Sequence, residues 1–297
     1  MAEVAAKTAL ITGVSSGIGR VTAERMARRG WNVAGTAREP AALGAWAAEH
    51  RVVLLELDVT DEARVAAAVA EAAGRFGGID VLMNNAGYGV FGPLEGTSAA
   101  EIDRQIRTNL LGAIAAIRHV MPVMRRRGGG VIVNVSSLGG RIAAPFGSLY
   151  YASKFAIEGL SESLRYEASL HGIRVKLVEP AHFKTGFMSR SLKLASHPEY
   201  ARAFDNFMEW ARLEDAKAPS PEPVAEAILR AAEDPSPRLR YPVHGALLLA
   251  LTAILPDGLW RSLNEMGMSR RPKKTATPGS TNPAPPVSNS RWRKHSR

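Results

Sequence analysis

The stretch Thr12-Gly13-Val14-Ser15-Ser16-Gly17-Ile18-Gly19 constrains the fold more than any other part of the chain. It follows the apolar run Lys7–Thr12, which reads as a strand. It opens Ile18–Arg29, where Ile18, Val21, Met26 and Ala27 read as the apolar positions of a helix. Glycines at a strand-to-helix turn let the backbone bend sharply and approach a phosphate closely. The helix N-terminus then offers unpaired N–H groups and a partial positive charge. Gly13, Ser15, Ser16, Gly17, Ile18 and Gly19 are therefore candidates for a pyrophosphate cradle.

The rest of the chain keeps the same rhythm. Trp31–Ala37, Val52–Leu57, Ile79–Asn84, Val131–Ser136 and Ile173–Val178 read as strands. Asp61–Gly74, with Thr60 as its cap, Ala99–Val120 and Tyr150–Leu170 read as helices. Near-continuous apolar strands are those buried on both faces, and right-handed crossovers between them give a doubly wound sheet. The expectation is an α/β protein: one Rossmann-type domain over residues 1–268, with a central parallel sheet flanked by helices. Residues 185–217 interrupt the rhythm with Phe187, Met188, Leu192, Tyr200, Phe204, Phe207, Met208 and Trp210. They are expected to form a substrate lid, the alternatives being core or a subunit contact. Residues 269–297, rich in Pro, Ser, Thr, Lys and Arg, read as a disordered basic tail.

The absence of cysteine excludes disulfides, thiolate metal sites and thiol nucleophiles. The seven histidines stand at no metal-ligand spacing, so no metal site is expected. Glu3 and Lys7 flank a run too short for a secretory h-region. Gly245–Leu255 falls well short of the roughly 20 residues needed to span a bilayer. A cytoplasmic protein without a transmembrane segment is expected. The formal charge is +10, yet Arg270, Arg271, Lys273, Lys274, Arg291, Arg293, Lys294 and Arg297 stand in a tail without an acid. The basicity thus belongs to the tail and does not imply specific nucleic-acid binding.

The chain resembles the short-chain dehydrogenases/reductases over roughly residues 7–245. The glycine turn matches T-G-x-x-x-G-x-G. Asn84-Asn85-Ala86-Gly87 closes the fourth strand, and Asn109 lies in Thr108-Asn109-Leu110-Leu111-Gly112. Ser137 precedes Tyr150-Tyr151-Ala152-Ser153-Lys154, the Y-x-x-x-K, at the family's spacing. The resemblance implies catalysis by Ser137, Tyr150 and Lys154, with Asn109 holding a water that links Lys154 to solvent. It implies cofactor contacts from Asn84, Asn85, Ala86 and Gly87, with Asp58 at the adenine, Val59 beside it, and Pro180 and Thr185 near the nicotinamide. It further implies a homodimer or homotetramer. Ala181 departs from the usual Pro-Gly, which puts the path of that loop in doubt.

The residues support the same chemistry. Tyr150 and Lys154 stand i and i+4 on one helix and share a face, whereas Tyr151 points about 100° away. A phenol titrates near 10, and a neighbouring ammonium is expected to lower that value. Ser137, past the carboxyl end of a strand, can hydrogen-bond a substrate oxygen. Gly35-Thr36-Ala37-Arg38 offers no acid for a ribose 2′-hydroxyl, while Arg38 can fork onto a 2′-phosphate. NADP(H) is therefore expected rather than NAD(H), although Glu39 follows immediately. Tyr241-Pro242-Val243 and the next apolar run are similar to the C-terminal region of the hydroxysteroid/retinol dehydrogenase-like branch, which favours a hydrophobic alcohol or ketone. His182 lacks a partner at a telling spacing and reads as a loop histidine. Two alternatives stay open: a non-catalytic NADP(H)-binding redox sensor, and a surface-binding protein acting through its basic tail.

Overall fold

The computed structural model describes residues 6–269, so the sequence beyond Ser269, and with it almost all of the expected tail, lies outside the described residues. The strands are β1 (Thr8–Thr12), β2 (Asn32–Ala37), β3 (Val52–Glu56), β4 (Val81–Asn84), β5 (Gly89–Phe91), β6 (Gly130–Val135), β7 (Ile173–Pro180), β8 (Leu192–Leu194) and β9 (Arg240–Val243). The α-helices are α1 (Gly17–Arg28), α2 (Gly44–His50), α3 (Glu62–Phe76), α4 (Ala99–Ile106), α5 (Gly112–Arg126), α6 (Ser148–Ser169), α7 (Ala201–Lys217), α8 (Glu222–Glu233), α9 (Ala246–Ile254) and α10 (Asp257–Ser269).

Seven strands form one parallel sheet in the order β3-β2-β1-β4-β6-β7-β9, and β5 pairs with β8 in a separate two-stranded sheet. Alternate strand residues feed the two faces of the large sheet. Ala9 and Ile11 join Met26 of α1 and Ile228 of α8 on one side, while Leu10 joins Val69 of α3 and Val120 of α5 on the other. Both faces are apolar, so the strands read as unbroken hydrophobic runs. The strand order reverses between β1 and β4, and a doubly wound sheet opens a crevice for a ligand at such a point.

Three local expectations are corrected. Asp61, not Thr60, caps α3, its carboxylate accepting the Arg64 N–H at 3.1 Å. The stretch expected as one helix from Ala99 is broken at Arg107–Leu111 by a π-helical turn between α4 and α5. Close packing at Gly112 fits that break, because a Cβ there would stand 2.8 Å from the Val59 carbonyl oxygen. The edge strand β9 was not expected from its four residues, which include Pro242. The buried Lys176 ammonium holds the segment in place by donating to the carbonyls of Ser236 and Arg238 at 2.7 and 2.9 Å and to the Tyr241 hydroxyl at 3.2 Å. Among the described residues no helix is long and apolar enough to cross a membrane.

Candidate active site

The glycine turn lies at the reversal of strand order, and its tightness dictates its composition. Gly13 and Gly17 have positive φ (76° and 59°), where a side chain is strained. A Cβ on Gly19 would stand 2.2 Å from the Gly13 carbonyl oxygen. Asn85 props the turn from β4, its amide donating to the carbonyls of Thr12 and Gly13 at 2.9 Å each. The Thr12 hydroxyl accepts from the N–H groups of Asn85 and Ala86. Ser16 makes no side-chain cap to α1, so the first N–H groups of that helix face outward unclaimed by it. Free helical donors on a close-approach turn fit the pyrophosphate of a dinucleotide. Ser15 is exposed, and Ile18 packs on the core beneath.

Arg38 is exposed just past β2, and its charge reaches Asp58. Asp58 turns one oxygen onto the Thr60 N–H and hydroxyl, at 3.0 and 2.7 Å. Burial opposes its charge, but those hydrogen bonds, with Arg38 and Arg104, hold the carboxyl below its ordinary range. Val59 is buried against Gly112. A small cavity lies between Val59, Ala86, Thr108, Asn109 and Lys154, and the side-chain amide oxygen (Oδ1) of Asn84 in its wall has no hydrogen-bond partner.

The reactive groups stand where β6, β7 and α6 meet. Ser137 caps the short turn Leu138–Gly140, accepting the Gly139 N–H at 3.0 Å, and its hydroxyl also bonds that of Tyr150. It thus caps a turn and meets the phenol at once. Tyr151 points elsewhere and meets the Ala144 backbone, as its helical offset required. Lys154 donates to the Val135 carbonyl at 2.9 Å and lies 5.9 Å from the centre of the Tyr150 ring. Burial pushes its ammonium down to about 8, opposed by Glu158. The expected lowering of Tyr150 is not found: burial pushes the phenol up, with the Ser137 hydrogen bond opposing. The lysine stands off the ring and is itself desolvated, so its field does not outweigh the burial of the phenol.

Asn109, at the π-helical turn, is buried. Its amide oxygen accepts from the Tyr88 N–H at 3.0 Å, and its nitrogen donates to the Tyr88 carbonyl and the Ser153 hydroxyl at 2.8 and 3.0 Å. Those bonds fix it beside Tyr150, because Ser153 in turn donates to the Tyr150 carbonyl at 2.7 Å. The backbone of Gly87 runs close to the Asn109 amide oxygen. Pro180 ends β7, its carbonyl 3.5 Å from the Ser137 hydroxyl. Ala181 is not among the positive-φ residues and bonds the Val243 carbonyl, so glycine is not required there. Thr185 packs against Gly17, bringing the loop after β7 over the glycine turn.

Aromatic rings surround the phenol. Phe91 and Phe187 lie 5.4 and 5.7 Å from Tyr150, centre to centre, and Phe207 of α7 stacks on Phe91 at 6.3 Å. Phe146, held at φ 60°, packs on Phe204 and Phe207. Residues 185–217 therefore bring Phe187 against Tyr150 and stack Phe207 behind Phe91.

Two features escaped the sequence. His182 pairs with Asp215 of α7 at 2.8 Å, a partner 33 positions away. Behind Ser137, Tyr150 and Lys154, Glu158, one turn after Lys154, and Glu179, just before Pro180, are buried side by side. Arg240 lies 3.1 Å from Glu158 and 3.4 Å from Glu179, and Arg141 lies 3.4 Å from Glu179. Burial, then the charge of Glu158, pushes Glu179 up to about 7 against the two arginines. An acid between the apolar pair Leu177-Val178 and Pro180 was the available signal.

A sequence profile described as short chain dehydrogenase matches residues 7–194. The 3-ketodihydrosphingosine reductase of Bacteroides thetaiotaomicron is 36% identical over 258 residues, covering 84% of this chain and 93% of that protein. The 17-beta-hydroxysteroid dehydrogenase type 1 of Mus musculus is 37% identical over 252 residues, covering 78% of this chain and 72% of its own. A solved short-chain dehydrogenase from Streptomyces avermitilis superposes with a TM-score of 0.77 at 36% identity, over 90% of this chain and 97% of that one. One from Burkholderia phymatum in complex with NAD gives 0.74 at 27% identity, over 85% and 94%. A metagenomic short-chain oxidoreductase in complex with NADP gives 0.65 at 28%, over 80% and 96%.

Proposed function

The chain belongs to the short-chain dehydrogenase family, and from that premise we propose an NADP(H)-dependent oxidoreductase acting on the carbonyl or secondary alcohol of an apolar substrate. The observation that carries this reading is the convergence of Ser137, Tyr150 and Lys154 where β6 meets α6, with Lys154 one helical turn after Tyr150 and 5.9 Å from the centre of its ring.

In this reading the cofactor supplies the hydride, and the protein positions and polarises. The glycine turn and the first N–H groups of α1 hold the pyrophosphate. Lys154 holds the nicotinamide ribose. Ser137 donates to the substrate oxygen. Tyr150, kept protonated at neutral pH by its burial, is a proton donor to that oxygen and so suits reduction. The cavity between Asn109 and Lys154, with the unpartnered Asn84 oxygen in its wall, suits a water that resupplies the proton.

Arg38 supports the choice of NADP(H), since it is exposed past the end of β2 with no acid on the strand end before it. Relatives whose solved structures hold either NAD or NADP leave the test to experiment. The Phe91, Phe187 and Phe207 cluster supports an apolar substrate, and residues 185–217 serve as its lid. The named activities of the two curated relatives, on a ketosphingoid base and on a steroid, agree with that class.

NADPH oxidation measured against a panel of apolar ketones, aldehydes and steroids tests the reading. Turnover is expected with at least one apolar ketone, and tight NADPH binding with none would favour the redox sensor. Arg38→Leu should weaken NADPH by about 10-fold or more, the worth of a charged hydrogen bond, and NADH hardly at all. Equal losses would contradict phosphate recognition.

A further inference from the structure

Eight of the fifteen large apolar side chains left exposed among the described residues lie on α7, α9 and α10. On α9, Leu247, Leu251 and Ile254 stand at i, i+4 and i+7 with Leu248 beside them, and Leu247 and Ile254 are 74% and 78% exposed. That helix contains no charged residue. α10 adds exposed Leu259 and Leu263 one turn apart and packs along α7, where Trp210 and Leu213 are exposed as well. An exposed apolar stripe on a helix without charge marks an interaction face rather than ordinary surface.

Its position and its surroundings narrow the occupant. The stripe is rooted beside the active site: Gly245, which precedes α9, packs so tightly on Leu138 that a Cβ there would stand 2.2 Å from the leucine. Residues 270–297 follow α10 directly in sequence and carry eight Lys or Arg and no acid. A second copy of the chain on this face would bring another eight positive charges beside the first eight. An anionic lipid surface would bury the same apolar stripe and neutralise the charge. At about 1.5 Å per residue, nine-residue α9 is far too short to span a bilayer and can only lie in its interface.

We propose that α9 and α10 seat this protein on an anionic lipid bilayer, with the leucine stripe in the boundary between headgroups and acyl chains. The basic residues after α10 supply the preference for acidic headgroups.

The test is co-sedimentation of the full-length protein with phosphatidylcholine vesicles, pure or mixed with an equal part of phosphatidylglycerol. Binding to the mixed vesicles is expected, much weaker to the pure ones, and reduced by high salt. Leu247→Glu with Ile254→Glu should lower the bound fraction about 10-fold or more while the melting temperature and NADPH binding stay unchanged. Replacing Arg270, Arg271, Lys273 and Lys274 with Ser should remove the preference for the mixed vesicles. If the double variant melts early, this second variant and the salt response still decide. Three outcomes overturn the proposal: no sedimentation with mixed vesicles, binding unaffected by either variant, or a wild-type oligomer without vesicle binding that the glutamates dissociate. The last would make the face an interface between copies.

Discussion

A carboxylate at position 179, near the end of β7, is 1% exposed and shares its site with Glu158. Burial raises its folded pKa to about 7, from 4.5 for an ordinary glutamate. Between those values the folded state holds a proton that the unfolded chain has released. The contribution of this group is therefore largest below about 4.5 and is lost as pH rises through 7. Glu179→Gln should remove this loss, leaving the variant more stable than wild type at pH 8, relative to pH 5, by on the order of 1–3 kcal/mol. Denaturant unfolding at the two pH values checks it, and an unchanged pH slope would show that Arg141 and Arg240 keep the carboxylate charged. Tyr150 could be told from Tyr151 by helical offset alone, because one turn of helix decides which ring shares a face with Lys154. Glu158, Glu179 and His182 could not be assigned, since Arg240 and Asp215 join them only through the fold. The raised value of Tyr150 also went unseen, because its cause is burial and not a sequence neighbour.

The element that does most to place the site is the β1–α1 turn. Its glycines are dictated by contact as much as by φ: Gly19 lies against the Gly13 carbonyl, and Asn85 reaches across from the end of β4. Gly19→Ala should strain the turn by about 1–3 kcal/mol, as overpacking does, and weaken NADPH binding about 10-fold or more. Thermal melting and NADPH fluorescence titration measure the two effects, and an unaltered dissociation constant would place the phosphates elsewhere. This turn could be read from its glycine spacing, and β1 to β4, β6 and β7 from their apolar runs, whereas three-residue β5 and β8 could not. The π-helical turn at Asn109 could not, because it depends on the Tyr88 backbone and the packing of Gly112 on Val59. Nor could β9, four residues held by a buried lysine on the neighbouring strand. The aromatic content of residues 185–217 was visible in the sequence. Its packing beside Tyr150 required β8 to pair with β5 and thereby bring Phe187 across.

Across the whole molecule, the parallel sheet gathers distant parts of the chain at one edge. Its order reverses between β1 and β4, so the glycine turn lies beside the ends of β4, β6 and β7 and beside helix α6. The glycine turn, more than a hundred residues before Ser137, Tyr150 and Lys154 in sequence, thus lies in one crevice with that hydroxyl, phenol and ammonium. Eight of the ten net positive charges fall beyond Ser269 in the sequence, so the whole-chain charge is not a property of that crevice. The account depends on the Tyr150 oxygen as the proton donor at a substrate oxygen. Single-turnover NADPH oxidation by Tyr150→Phe, with a ketone the wild type reduces, tests this most directly. The rate should fall by about 10²- to 10⁴-fold while the NADPH dissociation constant stays within about 2-fold, the phenol having little share in holding the dinucleotide. Turnover at the wild-type rate with intact NADPH binding would contradict it.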